Sequence, residues 1–209
     1  KLAYRTKILL ETNQLLQQAG SDAAIATVTS HQLLKLLNKT IVYYSADKKG
    51  LLPPVVYNVK NDVHTEQLIN SNERAVAQWV YKNNKRAGVK TGTLNNAKCQ
   101  YLAIRSKDNV YGVVGIAINN EDLDVFENNL VLSILGECAL ALEKEIYSKK
   151  RQEIYLQAKN EQLRSNLLRS ISHDLRTPLT GIVGASQLMM NQDHLTNEDV
   201  YSLAKDIHD

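Results

Sequence analysis

The sequence predicts an α+β domain followed by a long helical region. Up to about residue 118, segments with helical periodicity alternate with pairs of segments rich in β-branched and aromatic residues. From Leu123 to Asn191 the helical pattern is unbroken by any strand signal. The order helix, helix, strand pair, helix, strand pair is typical of an antiparallel sheet that is covered by helices.

The first two elements are predicted to be helices. Residues 2–18 have helical character, and Gly20 follows as a stop signal. Ser21 or Asp22 can cap a second helix, in which the leucines at 33–37 form an apolar side.

Two strand pairs and one helix follow. Residues 40–46 and 55–59 are predicted strands, and 47–50 is a turn between them. Ser71 or Asn72 is expected to cap a helix that runs to Lys82, with Ala75, Val76, Trp79 and Val80 facing inward. Residues 83–97 are predicted to form a loop. The second strand pair comprises 100–105 and 110–118, and the nearly all-apolar second strand is expected at the centre of the sheet.

The long helix has an apolar seam, and a turn at 191–197 is expected to separate it from a last helix capped at Thr196. Charged residues of both signs fill 143–164, as on a solvated helix in a two-stranded coil. The seam residues are spaced by seven, then mostly four, which keeps them on one side of a helix. They are Leu156, Leu163, Leu167, Ile171, Leu175, Leu179 and Ile182.

Composition narrows the class of protein. Apolar residues make up 44 % of the 209 residues, which is enough for a packed core, and the formal net charge is only +3. No basic block argues for nucleic acid, so we expect no nucleic-acid partner. Cys99 and Cys138 lie in apolar stretches without metal-ligand spacing and are predicted to be reduced, buried thiols.

The two ends of the sequence indicate an excerpt from a longer protein. The sequence begins with Lys1 without a signal peptide and stops within a helical pattern at Asp209. No stretch approaches the roughly 18–20 uninterrupted apolar residues of a membrane helix. We therefore expect this part to say little about membrane segments elsewhere in the parent protein.

The stretch from Ser172 to Leu179, Ser-His-Asp-Leu-Arg-Thr-Pro-Leu, carries the chemistry. His173 lies two residues from the seam, or about 200° of helix rotation, so its imidazole is expected to face outward. Neutral imidazole is a nitrogen nucleophile, and a carboxylate at Asp174 can accept from one ring nitrogen and leave the other more nucleophilic. Thr177 shares the face of His173 at i+4.

Pro178 lacks an N–H group and leaves the carbonyl group of Asp174 without its helical partner. The proline should bend or loosen the helix next to the reactive residue. If His173 and Asp174 were only part of an ordinary solvated helix face, this proline would not be required. The alternative is a non-catalytic coiled-coil scaffold, but such a protein has no use for a mid-coil proline that costs roughly 3 kcal/mol or more.

This motif resembles the H-box of sensor histidine kinases. The resemblance implies that His173 accepts the γ-phosphoryl group of ATP and passes it to an aspartate of a response regulator. It also implies that Asp174 is the acid/base partner and that Thr177 supports dephosphorylation of the regulator. Such helical hairpins form homodimeric four-helix bundles. The family's ATP-binding domain is absent from the sequence, so this part binds no ATP or Mg²⁺ cofactor and is expected to be inactive alone.

The α+β segment is similar to a GAF domain. At 75–94, the runs Ala-Val-Ala-Gln-Trp-Val-Tyr, Ala-Gly and Thr-Gly-Thr-Leu resemble the GAF segment of the KdpD family of potassium and turgor sensor kinases. The first helix also resembles the helix that leaves the membrane in that family. The resemblance implies a cytoplasmic part of a protein anchored in the inner or cell membrane, acting in potassium or osmotic sensing.

No ligand of this GAF domain is predicted, and a ligand-free dimerisation and relay module is the expectation. Cys99 is a formal anchor for a bilin but is better explained as a core thiol. His31 and His64 lack a carboxylate pattern, so no metal site is expected. Trp79 is predicted to be a core anchor.

The sequence thus divides into four predicted parts. They are a linker helix at 1–20, a GAF sensor domain at 21–141, a signalling helix at 142–165 and a partial dimerisation and histidine phosphotransfer domain at 166–209.

Overall fold

A computed structural model describes residues 2–59, 65–118, 122–191 and 196–208, and the backbone alone for 2–5 and 191. The chain forms two compact units, Lys1–Lys149 and Lys150–Asp209. The predicted division into four parts stays a prediction.

The elements follow the predicted order, with one added strand at each end of the sheet. They are α1 (Leu2–Gln18), α2 (Asp22–Leu37), β1 (Ile41–Asp47), β2 (Gly50–Leu51), β3 (Val55–Tyr57), a 3₁₀ helix (Thr65–Leu68), α3 (Ser71–Asn83), β4 (Ala87–Gly88), β5 (Cys99–Ser106), β6 (Asn109–Ala117), α4 (Val125–Asn191) and α5 (Asn197–His208).

The first unit is built on an antiparallel sheet in the order β2-β1-β6-β5-β4. β6 lies between β1 and β5, which confirms the central place predicted for the second strand of the second pair. Its residues are buried from Gly112 to Ala117. The α+β fold class predicted from the sequence is confirmed.

The outer edge of β1 is covered by β2 and β3, which lie one after the other and both run antiparallel to it. Asp47 shapes the predicted turn into β2, because its Oδ1 atom accepts from the backbone N–H groups of Lys49 at 2.7 Å and Gly50 at 3.0 Å. Pro53 and Pro54 lie between β2 and β3, and since proline has no N–H group, the edge strand is interrupted there.

Each face of the sheet carries its own apolar core. Helices α1, α2 and α4 cover one face, with buried contacts from Ile8, Leu33, Ile104 and Ile134. Helix α3 covers the other, where Val76 and Val80 pack with Tyr44, Tyr101 and Cys99 of the strands. Each helix thus packs an apolar face against the sheet, as amphipathic helices do.

Two details of α3 differ from the sequence prediction. Asn70 is the N-cap, accepting from the backbone N–H of Glu73 at 2.9 Å, where Ser71 or Asn72 was predicted. Ala75 is exposed and Ala77 is buried instead. The helix face toward the sheet is formed by Glu73, Val76, Ala77 and Val80, which follow one another at helical spacing.

The predicted loop at 83–97 contains the short edge strand β4. Gly88 in β4 has a φ of +105°, and a Cβ atom there would clash with the carbonyl oxygen of Cys99. Two residues of strand with a glycine carry no alternating pattern, so only the tertiary pairing with β5 reveals this element.

Helix α4 contains a stretch that is long and apolar enough to cross a membrane, judged by length and composition alone. Within unit one, however, Val131, Ile134, Leu135, Cys138 and Ala139 are buried in the core against the sheet. This arrangement is that of a core helix.

In the second unit, α4 continues through Pro178 to Asn191 without a break in its helical assignment. Thr196 caps the start of α5 as predicted: the backbone N–H of Asp199 donates to Thr196 Oγ1 at 3.3 Å, and the Thr196 N–H donates to Asp199 Oδ2 at 2.9 Å. This pair holds the pKa of the Asp199 carboxyl below its usual value, chiefly through the hydrogen bond from the Thr196 hydroxyl. Most of the turn predicted at 191–197 lies outside the described residues.

Candidate functional site

His173 projects from α4 into solvent. Its side chain is 80 % exposed, whereas the neighbouring seam residues Ile171, Leu175 and Leu179 are 49–56 % exposed. The helix is exposed on all sides from 151 to 181, and the two-residue offset places His173 about 200° of rotation away from the seam. The imidazole is therefore free to reach another molecule while the helix backbone holds its base in place.

Asp174 supplies the carboxylate nearest to this imidazole. The Nδ1 atom of His173 lies 3.4 Å from Asp174 Oδ1, and the Asp174 side chain is 75 % exposed. The distance is at the long end of hydrogen bonding. Since Nδ1 is the ring atom that faces Asp174, Nε2 remains directed away from it and open to a reaction partner.

The residues around the pair are arranged as the motif predicted. Thr177 is exposed one helical turn beyond His173. On the adjacent face, the Thr180 hydroxyl donates to the carbonyl of Arg176 at 2.8 Å, a bond that runs along the same turns as Pro178. The structure brings His173, Asp174 and Thr177 onto one stretch of helix, and their chemical roles stay predictions.

From Leu163 to Leu179 the seam forms an apolar stripe that the described part of the chain does not cover. Leu163, Leu167, Ile171, Leu175 and Leu179 are each about half exposed. Beside His173, a shallow recess of about 490 Å³ is lined by Ser172, Leu175, Arg176, Leu179, Thr180 and Val183. Half-exposed leucines in a regular row are what a helix presents when it packs against partner helices.

The residues considered for cofactors lie elsewhere. Cys99 is fully buried, and burial, with Glu73 nearby, raises the pKa of its thiol to about 12, so it is a poor nucleophile. His31 is exposed and packs edge-on against Tyr57, while His64 lies outside the described residues. Trp79 is half-buried on α3. Within the described ranges no three His, Cys, Asp or Glu side chains converge on a metal position.

Sequence reasoning missed the buried carboxylate of Glu73. Its side chain is 1 % exposed and accepts from the backbone N–H groups of Lys98 at 2.7 Å and Cys99 at 3.3 Å, and from the Tyr101 hydroxyl at 2.8 Å. These bonds tie the first turn of α3 to the start of β5. Burial raises the pKa of Tyr101, which keeps its hydroxyl a donor to the carboxylate.

The part of the chain that bears His173 matches a known family. Residues 163–209 match the model of the His Kinase A (phospho-acceptor) domain. The first unit has the GAF fold. Its similarity to the crystal structure of the native GAF domain of the potassium sensor histidine kinase KdpD from Escherichia coli has a TM-score of 0.59 and 21 % identity, and covers 70 % of this chain and 99 % of that one. The chain thus joins a GAF domain to a phosphoacceptor segment, in the manner of sensor histidine kinases.

Two curated relatives make the resemblance more specific. The chain is 34 % identical over 195 residues to the sensor protein KdpD of Clostridium acetobutylicum, over 93 % of this chain and 22 % of that protein. It is 27 % identical over 187 residues to the sensor protein KdpD of Escherichia coli, over 88 % of this chain and 20 % of that protein. The KdpD-type resemblance read from the sequence is confirmed, and the chain spans about a fifth of the length of these relatives.

Proposed function

We propose that this chain is the sensory and phosphoacceptor portion of a two-component sensor histidine kinase, with His173 as the residue that is phosphorylated. The single observation that carries the proposal is the exposed imidazole of His173 inside a segment that matches the phosphoacceptor domain. ATP and Mg²⁺ would be bound by a separate catalytic domain of the same protein.

The chemistry is an in-line phosphoryl transfer. The lone pair of His173 Nε2 attacks the γ-phosphorus atom of ATP, an N–P bond forms, and the bond between that phosphorus and the β,γ-bridging oxygen breaks, with ADP as the leaving group. Formation of the N–P bond leaves the ring with a positive charge while Nδ1 keeps its proton.

Asp174 fits the role of acid/base partner. In the tautomer that protonates Nδ1, the carboxylate 3.4 Å away can accept that hydrogen bond and leave Nε2 unprotonated for attack. As the ring becomes positive, the same carboxylate stabilises the charge and can take the Nδ1 proton. The phosphoryl group then passes from Nε2 to an aspartate of a response regulator.

Thr177 fits the reverse reaction. Its exposed position one turn from His173 would place a hydroxyl where it can orient a water molecule against the phosphorylated regulator. Loss of this hydroxyl should therefore impair dephosphorylation of the regulator and leave phosphorylation of His173 intact.

The uncovered seam supports a homodimer. We propose that two copies pack in parallel along the stripe 163–182 to form the helical bundle that docks the catalytic domain and the regulator. The relatives named above, and the first helix, support a parent protein anchored in the inner or cell membrane, with this part on the cytoplasmic side and acting in potassium or osmotic sensing.

The test is phosphorylation in the full-length protein with labelled ATP. We expect acid-labile, alkali-stable label in the wild type and none in His173→Gln. His208→Gln is the matched control, because His208 is also an exposed histidine on a helix, and it should retain full labelling.

Two further variants separate the roles of the neighbours. Asp174→Asn should slow labelling by about 10²-fold or more if the carboxylate acts as acid/base partner. Thr177→Ala should keep labelling and lose dephosphorylation of the regulator. Full labelling of His173→Gln would place the phosphoryl group on another residue, and absence of label from the wild type would favour the non-catalytic scaffold.

A further inference from the structure

A recess at the β4 edge of the first unit gathers positive charge. It has a volume of about 580 Å³ and lies between the end of α3, β5 and the first turns of α4. Lys85 and Arg86 enter it from the segment that joins α3 to β4, and Arg105 enters it from β5. We call this site the edge recess.

The three cations of the edge recess have no counter-charge of their own. No carboxylate lines the recess, and none of the three side chains forms an ion pair within the part of the chain that the structure describes. Arg86 and Asn128 also line the adjoining recess of about 230 Å³, where the carboxylate of Asp122 is paired with Lys90 at 3.6 Å. Positive charges collected without a partner favour an anion from solution.

The rest of the lining suits an organic group. Leu102 is buried at the floor, and Leu132 of α4 is 51 % exposed at the side. Asn128 adds a polar group beside them. A volume of about 580 Å³ lies within the range of small-molecule sites, which combine apolar walls with a few placed polar groups.

The residue types define the class of anion. Arginine presents a planar fork of donors that binds the oxygens of a phosphate in pairs, and lysine adds a point charge. We propose that the edge recess binds a phosphate monoester, with its oxygens on Lys85, Arg86 and Arg105 and its organic group against Leu132.

This site goes beyond the phosphoacceptor function and departs from the ligand-free relay module expected from the sequence. The interior of the domain is filled by its own side chains, including Tyr43, Tyr44 and Tyr101, so a ligand would bind in a surface recess, and the edge recess is the one that collects Lys85, Arg86 and Arg105. Because Asn128 and Leu132 belong to α4, a bound ligand would contact the helix whose later turns carry His173.

The test is a titration of this chain with phenyl phosphate, measured by isothermal titration calorimetry at low salt. Phenyl phosphate should bind at least about fivefold more tightly than inorganic phosphate, because only the former reaches the apolar wall. Arg105→Gln should weaken binding by about tenfold or more. Lys90→Gln is the matched control and should change it less than about twofold, since Lys90 is already paired.

A second arm distinguishes a soluble ligand from a lipid headgroup. The chain is sedimented with neutral vesicles and with vesicles that contain phosphatidic acid, whose headgroup is also a phosphate monoester. Binding of phenyl phosphate assigns a soluble ligand, and binding only to the acidic vesicles, lost in Arg105→Gln, assigns a lipid.

Three results would overturn the proposal. The first is no binding of phenyl phosphate at about 10 mM together with no binding to the acidic vesicles. The second is equal binding of phenyl phosphate and inorganic phosphate. The third is equal binding by the wild type and a folded Arg105→Gln variant. Because phosphorylation of His173 is not part of this measurement, its outcome is independent of the proposed kinase function.

Discussion

Replacing Glu73 by alanine should destabilise the first unit by about 3–5 kcal/mol, because the change leaves three hydrogen-bond donors without their acceptor. Each buried donor left unsatisfied costs about 1–3 kcal/mol. The backbone N–H of Lys98 is only partly buried and can recover a bond to water, so its loss lies at the low end. The N–H of Cys99 and the hydroxyl of Tyr101 are buried and have no such alternative.

Glu73→Gln should cost less, about 2 kcal/mol, since the amide keeps one acceptor oxygen and the size of the side chain. Its NH₂ group, however, would face a donor. Glu66→Ala is the matched control: Glu66 is exposed on the 3₁₀ helix before α3, and its removal should stay within about 0.5 kcal/mol of wild type.

The assay is urea unfolding followed by tryptophan fluorescence. Trp79 is the only tryptophan in the sequence and packs half-buried on α3, so its emission reports on the region that Glu73 holds. With an m value of about 2 kcal/mol/M, a loss of about 4 kcal/mol moves the midpoint down by about 2 M. A Glu73→Ala midpoint within about 0.5 M of wild type would refute the reasoning that these three bonds anchor α3 to β5.

Three further predictions rest on the packing. Gly115→Ala should destabilise the first unit by about 1–3 kcal/mol in the same urea assay, because the added Cβ atom would lie 2.5 Å from the Tyr101 ring. Leu167→Glu should convert the proposed dimer to a monomer in analytical ultracentrifugation, because it places a charge in the uncovered seam. The thiols of Cys99 and Cys138 should react with a thiol reagent at pH 8 only on unfolding, and stability should fall above about pH 9 in urea titrations. There the unfolded thiols ionise, while burial keeps the folded pKa values near 12 and 11.

Each of these predictions has an outcome that contradicts it. Gly136→Ala is the control for Gly115, since nothing lies within 4 Å of a Cβ atom there, and an equal loss in both variants would exclude the clash with the ring. A wild type that is already monomeric at micromolar concentration would contradict the dimer. Rapid labelling of the folded protein would mean that the thiols are accessible, and stability that is constant up to pH 11 would contradict the raised pKa values.

The elements with strong local signals were predictable from the sequence. A helix cap at Ser21 or Asp22 was predicted because either side chain can cap, and Ser21 accepts from the N–H of Ala24 at 3.2 Å. The outward position of His173 followed from its two-residue offset from the seam, because helix geometry fixes that angle. The H-box was recognisable because its residues are contiguous.

Features that depend on pairing between distant segments were not predictable in this way. β4 is two residues long and exists through its bonds to β5, so no periodicity marks it. The carboxylate of Glu73 looks like any first-turn acid until β5 brings three donors to it. The edge recess joins Arg86 with Arg105 through the same missed pairing.

The interrupted edge beside β1 has a consequence for how copies of this protein can meet. Pro53 and Pro54 break the outer strand into β2 and β3, and neither fragment exceeds three residues. An unprotected long strand edge invites the same edge of another molecule, which leads to uncontrolled sheet growth. In the proposed dimer, two copies joined along the seam raise each other's local concentration. The broken edge allows that closeness without offering a template for aggregation.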